Sequence, residues 1–314
     1  MYGRYFVLFA ILFTGWFLRR INFIDDKMNR SMNKLIVYFA YPCLIVHNIG
    51  TLELSSNLLM EFLLTFILSL ATFFFNALLA YCYAKARKFP KDVANVAELA
   101  MASPNDGFMG FPVSMIFFGE KGMLLMLAHN AALNVYFFTI GMKILGRNNE
   151  KEKKPFLQNA TRATFKFILN PNILALLIGF ALSLLGGLLP SVVDEYLVYI
   201  GNVSTPMAMI FIGSSLVSVN LKEVVTNRVV VESSIVKLII IPAITMGLMW
   251  LLPVSPLITS IVVLGGAFPV AATAAMLAEQ ENQSAITASM ILVLSTIASA
   301  GTIPLVINTI GILF

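Results

Sequence analysis

Ser103-Pro104-Asn105-Asp106-Gly107-Phe108-Met109-Gly110-Phe111-Pro112 stands inside an apolar stretch, about 93–119, that is long enough to cross a bilayer. Proline lacks the backbone N–H and its ring clashes with the preceding turn, so a run with two prolines and two glycines does not continue one helix. Hydrocarbon cannot satisfy the backbone groups that a break releases. A break at membrane depth is therefore kept only where protein buries it or where it lines a cavity. We read this stretch as half of a solute site, a reading that requires the rest of the chain to lie in a membrane.

The composition meets that requirement. Of 314 residues, 59% are hydrophobic and 12% are charged, against roughly 45–50% and about 25% in soluble domains. Apolar runs place ten spans at about 2–18, 33–50, 58–84, 93–119, 122–144, 171–189, 197–217, 229–252, 257–278 and 285–310. The +5 charge does not point to nucleic acid, because the basic residues are scattered between apolar runs. They mark topology instead: the connections after spans one, three, five and seven hold 18 of the 21 lysines and arginines. This places the odd-numbered loops in the cytoplasm and both termini outside, in an integral protein of the bacterial plasma membrane. The first apolar run has its charge, Arg19 and Arg20, after it and no small-residue cleavage site, so it reads as a retained span. Cys43 and Cys82 have neither metal-ligand spacing nor a disulfide framework, and no metal or cofactor is expected.

The polar, basic connection 146–168 divides the chain into a first five-helix repeat, 1–145, and a second, 169–314. Five spans per half forces the halves into opposite orientations, the requirement for an inverted repeat. Gly110-Phe111-Pro112-Val113 recurs as Ala267-Phe268-Pro269-Val270, an offset of 157 residues, and Pro42 and Pro206 are expected to interrupt spans two and seven in the same way, with Pro104 a further break beside Pro112. The fold class expected is an all-α polytopic membrane protein, a 5+5 inverted repeat with spans four and nine broken and crossing.

A helix broken at mid-membrane exposes the N–H groups and positive dipole end of its second half, which attract an anion such as a carboxylate. If spans four and nine cross at Pro112 and Pro269, two such ends face one cavity, with Gly107, Gly110 and Val270 in the breaks. Ser114 and Thr273 lie just beyond the prolines and offer hydroxyls, and Asn105 offers an amide that donates to a carboxylate. Asp106 is the carboxylate inside the break. It reads either as a cap for the second half of span four or as a coupling residue, since intramembrane carboxylates are costly. Lys237 lies roughly 13 Å along span eight, either snorkelling to the interface or serving as counter-charge to Asp106 or the solute. Glu232, five residues away, is on another face. His47 and His129 are single histidines on apolar spans, structural by default, with His129 the candidate for coupling. Asn130 and Asn134, at i and i+4, fit interhelical hydrogen bonding. No metalloprotease, nucleophile-elbow or phosphate-loop motif is present, so neither an enzyme nor an ATP-driven pump is expected.

Ser103-Pro104-Asn105 with Gly110-Phe111-Pro112, Asn170-Pro171-Asn172, Gly201-Asn202 with Pro206, and Phe268-Pro269-Val270, in that order, resemble the auxin efflux carrier family. The family includes plant auxin carriers and bacterial malate or malonate permeases, and the resemblance runs from Tyr2 to Ile310. It implies a five-plus-five transporter of a small organic anion, with Pro112 and Pro269 at the crossing, an elevator-like movement of the crossover domain, and often a homodimer. The asparagine of the Pro-Asn pair, here Asn105, is implied to hold the substrate carboxylate. Sodium–bile acid symporters are similar in architecture but place an acid and an amide near the crossover of their ninth span, where Ala267–Ala278 has neither. A membrane sensor that binds solute without moving it is the reading from a different class.

Overall fold

The computed structural model describes residues 2–52, 55–147, 169–186 and 189–313. The predicted cytoplasmic connection lies almost wholly outside those residues. All regular structure among them is helical: α1 (Tyr2–Arg20), α2 (26–50), α3 (Ser56–Ala86), α4 (Lys91–Ala102), α5 (106–118), α6 (120–146), α7 (Pro171–Leu184), α8 (Ser191–Ser215), α9 (Leu221–Thr226), α10 (Arg228–Trp250), α11 (Pro256–Ala267), α12 (Ala272–Gln280) and α13 (Ala285–Leu313). Five segments are long and apolar enough to cross a membrane: α3, the run Asp106–Gly146, α8, α10 and α13. As one straight helix that 41-residue run would reach roughly 60 Å, twice the hydrocarbon thickness. Gly119 divides it, at φ 67° and ψ −160°, a backbone that favours glycine.

The helix ends follow from their caps. Asp25 accepts from Met28 N at 2.6 Å and starts α2 at Asp26, ahead of the apolar run expected from residue 33. Asn170 caps α7 ahead of Pro171, and Ser255 caps α11 ahead of Pro256, with proline in the first turn where no N–H is needed.

Three of the five prolines expected to break helices do not. Pro42, Pro112 and Pro206 all lie within continuous helix. Pro42 and Pro112, like Pro242, each follow a π-turn, at Ile36–Ala40, Asp106–Gly110 and Val236–Ile240. In each, an N–H reaches back five residues: Tyr41 to Ile36, Gly110 to Asn105 and Ile241 to Val236. The extra residue in the turn moves the carbonyl that the ring would strike, so the helix runs on.

The chain forms two compact units, each drawing on both sequence halves. One contains residues up to Phe62, Phe111–Leu124 and the described residues 169–217. Its helices meet through glycines. A Cβ on Gly15 would overlap the Ile210 backbone, and one on Gly213 the backbone of Leu12 and Trp16, so α1 and α8 touch main chain to main chain. His47 Nδ1 and Asp194 Oδ1, 2.6 Å apart, tie α2 to α8. The other unit contains Leu63–Gly110, residues 125–147 and 218–313. Residues 95–102 of α4 and 258–267 of α11 are buried on every face, as expected of helices apolar all round.

Candidate functional site

Two interruptions lie within the second unit. One is Ser103–Asn105, between α4 and α5; the other is Phe268–Ala271, between α11 and α12. Their backbones are extended: Ser103 at φ −111° and ψ 94°, Phe268 at −65° and 150°, Ala271 at −69° and 139°. The two segments pair antiparallel at Pro104 and Val270. Asn105 N donates to Pro269 O at 2.8 Å and Ala271 N to Ser103 O at 2.9 Å. Each break thus supplies partners that hydrocarbon could not. Pro104 sits in the non-hydrogen-bonded pair, where an N–H would point away from the partner segment. The first break thus centres on Pro104, eight residues and about two helical turns ahead of Pro112, where the matching tripeptide placed it.

Ser295 of α13 holds the second break, its Oγ accepting from Val270 N at 3.0 Å. Both groups are buried. Ser295→Ala is expected to cost about 1–3 kcal/mol, the penalty for stranding a buried donor, readable as a lower melting temperature of the purified protein.

The half-helices after the breaks begin at Asp106 and Ala272, not beyond Pro112 as the sequence reading placed the first. Asn105 is the cap of α5: its Oδ1 accepts from Phe108 N at 3.3 Å and its backbone O from Met109 N at 3.1 Å. The N-cap of α12, Ala271, supplies no side-chain hydrogen bond, and Thr273 in the first turn is exposed. Gly110 and Val270 are buried and Gly107 is half-buried. Ser114 lies further along α5, where its Oγ donates to Phe111 O at 3.1 Å.

With Asn105 as cap, Asp106 does other work. Its Oδ2 lies 2.7 Å from His129 Nδ1, and its Oδ1 has no hydrogen-bond partner among the described residues. The imidazole is held between the edge of Phe73, centroids 4.8 Å apart, and Gly265, where any Cβ would overlap the ring. Lys237 does not snorkel: it is 1% exposed and its Nζ donates to Gly266 O at 3.1 Å, at the carbonyl end of α11. Its charge also acts on Asp106. The ammonium thus meets the negative end of one helix dipole and the carboxylate sits at the positive end of another. Glu232 is elsewhere engaged, by Arg87 at 2.6 Å and Arg228 at 2.9 Å. Asn134 bonds Asn130 within α6 rather than across helices.

Of the residues named from the sequence, Pro104, Asn105, Asp106, His129, Lys237 and Pro269 come together at the breaks. Gly265, Gly266, Ser295 and Phe73 join them and were not named from the sequence. The glycine pair ahead of the Phe-Pro was a usable signal for close approach; Ser295 and Phe73 carried none. A cavity of about 560 Å³ lined by Arg19, Arg20, Asn22 and Asp25 belongs to the other unit. Its Arg19 is committed to Asp26 and Ile24 O, so it makes a poor solute site.

Relatives share this length and character. An uncharacterized transporter of Methanothermobacter thermautotrophicus is 24% identical over 296 residues, 94% of each chain. An uncharacterized transporter of Methanocaldococcus jannaschii is 23% identical over 265 residues, 84% of this chain and 83% of its own. A family model described as membrane transport protein matches residues 2–307, and with the apolar helices and paired breaks already in view the chain belongs to that family of membrane transporters, the auxin efflux carriers.

Proposed function

We propose that the protein is a secondary transporter, or a facilitator, of a small organic anion with a carboxylate group. The observation that carries this reading is the pairing of the two interrupted helices, which brings the N-terminal ends of α5 and α12 into one unit beside Asn105. Two such ends attract one anion without a dedicated cation. On this reading the ten spans are α1, α2, α3, α4 with α5, and α6, then α7, α8, α10, α11 with α12, and α13. They form a 5+5 inverted repeat in which the fourth and ninth spans cross at Pro104 and Pro269. The basic connections face the cytoplasm, and movement of the crossover region exposes the site to each side in turn.

Asn105 is the residue proposed to hold the carboxylate. Acetate, lactate, malonate, malate and succinate can be screened by thermal stabilisation of the purified protein. Asn105→Ala is expected to weaken the best of them 10- to 100-fold, the loss of roughly 1.5–3 kcal/mol for a hydrogen bond to a charged group. Unchanged affinity would remove Asn105 from the site.

A further inference from the structure

Three ionisable side chains meet at the breaks, all almost fully buried: Asp106 at 0%, His129 at 1% and Lys237 at 1% exposure. Asp106 shares a 2.7 Å hydrogen bond with His129 and feels the charge of Lys237. Among the described residues the helices packed here bring no further free charge. α4 brings Glu98, paired with Arg147 at 3.0 Å, with Lys91 and Asp92 at its far end. α6 brings Tyr136, stacked on Phe73, with Glu120, Lys121 and Lys143 two turns or more from His129. α10 adds only Arg228 and Glu232, paired with each other. α3 has no ionisable residue between Glu61 and Tyr81, α11 and α13 have none, and α12 has only Glu279 at its far end.

The charge count of this cluster is therefore simple. Counted with Asp106 ionised, Lys237 protonated and His129 neutral, the cluster sums to zero. A bound carboxylate adds one negative charge, which helix ends worth about half a charge each offset only in part. One added proton restores zero.

We propose that the Asp106–His129 pair is a proton-binding site and that the protein carries a proton together with its carboxylate, with Lys237 as the neighbouring counter-charge. This deepens the transport reading above and rests on it. His129 Nδ1 and Asp106 Oδ2 share one proton position along their 2.7 Å hydrogen bond. The proton taken from one side goes to the pair, for which Oδ1, without a hydrogen-bond partner among the described residues, is the open acceptor position, and leaves to the other side. No other bond forms or breaks.

The chain has only two histidines, which makes the site directly readable. In a His47→Gln background, full-length protein with ¹⁵N-labelled histidine in lipid nanodiscs reports His129 alone. We expect its nitrogen shifts to show a one-proton transition between pH 5 and 9. Asp106→Asn should move the midpoint down, and Lys237→Met should move it up, each by about one pH unit or more. Opposite shifts are not a consequence of general loosening, and either variant serves if the other fails to fold. Nitrogen shifts that stay constant over the whole range, or that titrate identically in both variants, would overturn the proposal. A second arm uses proteoliposomes with an internal pH dye and the five carboxylates above. Uptake accompanied by internal acidification supports co-transport, and uptake without proton movement overturns it. Absence of any flux with the titration intact would instead overturn the transport reading and leave the proton site standing.

Discussion

Asp106→Ala is expected to destabilise the protein by about 3–5 kcal/mol, because breaking a buried charge pair from one side leaves the other charge uncompensated. The charges stranded here are unusually confined. Among the described residues Lys237 keeps only a carbonyl, Gly266 O, and His129 loses its hydrogen-bond partner while remaining wedged between Phe73 and Gly265. The measurement is the melting temperature in detergent, in a double-mutant cycle with Lys237→Met. Removing both charges relieves the mismatch, so the double variant should be more stable than the additive sum of the singles. Strict additivity would show that Asp106 and Lys237 do not interact.

Gly213→Leu carries the second large effect. The α1–α8 contact is backbone against backbone, and a side chain at Gly213 meets Leu12 and Trp16 main-chain atoms that no rotamer change can move. We expect a loss of about 3 kcal/mol, the upper end for overpacking. Gly247, with no atom within 4 Å of where a Cβ would stand, is the control. Gly247→Ala should be neutral or slightly stabilising, since alanine is the better helix former. A melting curve for Gly213→Leu that matches the control would contradict the close approach of these helices.

Much of this was legible in the sequence because the signals were local. Pro104 with Asn105 and Gly107 cannot lie in unbroken helix, and caps such as Asn170 before Pro171 announce a helix start. Prolines were over-read for a physical reason. The penalty of Pro42 and Pro112 is relieved by a π-turn one residue upstream, and nothing in the side chains of Ile36–Ala40 or Asp106–Gly110 signals an i→i+5 turn. The repeated Phe-Pro-Val then drew the equivalence to Pro112, whereas the backbone pairs Pro104 with the second break. Partner choice was also hidden. Asp106 was weighed as a cap or a coupling group from its neighbours in sequence. What decided against the cap was that Asn105 takes that task, and what engaged the carboxylate was His129, 23 positions away. Lys237 was left between snorkelling and counter-charge because its depth along α10 was known but not its neighbour, Gly266 on another helix. Ser295 could not be found, since one serine on an apolar helix looks like any other.

The claim on which the rest depends is that a small carboxylate passes through the paired breaks. Uptake of ¹⁴C-labelled acetate, lactate, malonate, malate and succinate into proteoliposomes of the purified protein tests it most directly, with Asn105→Ala run alongside. The account predicts saturable uptake of at least one of them, reduced about tenfold or more in the variant at subsaturating concentration. No uptake of any of the five under imposed solute, pH or sodium gradients, or equal uptake by Asn105→Ala, would contradict it.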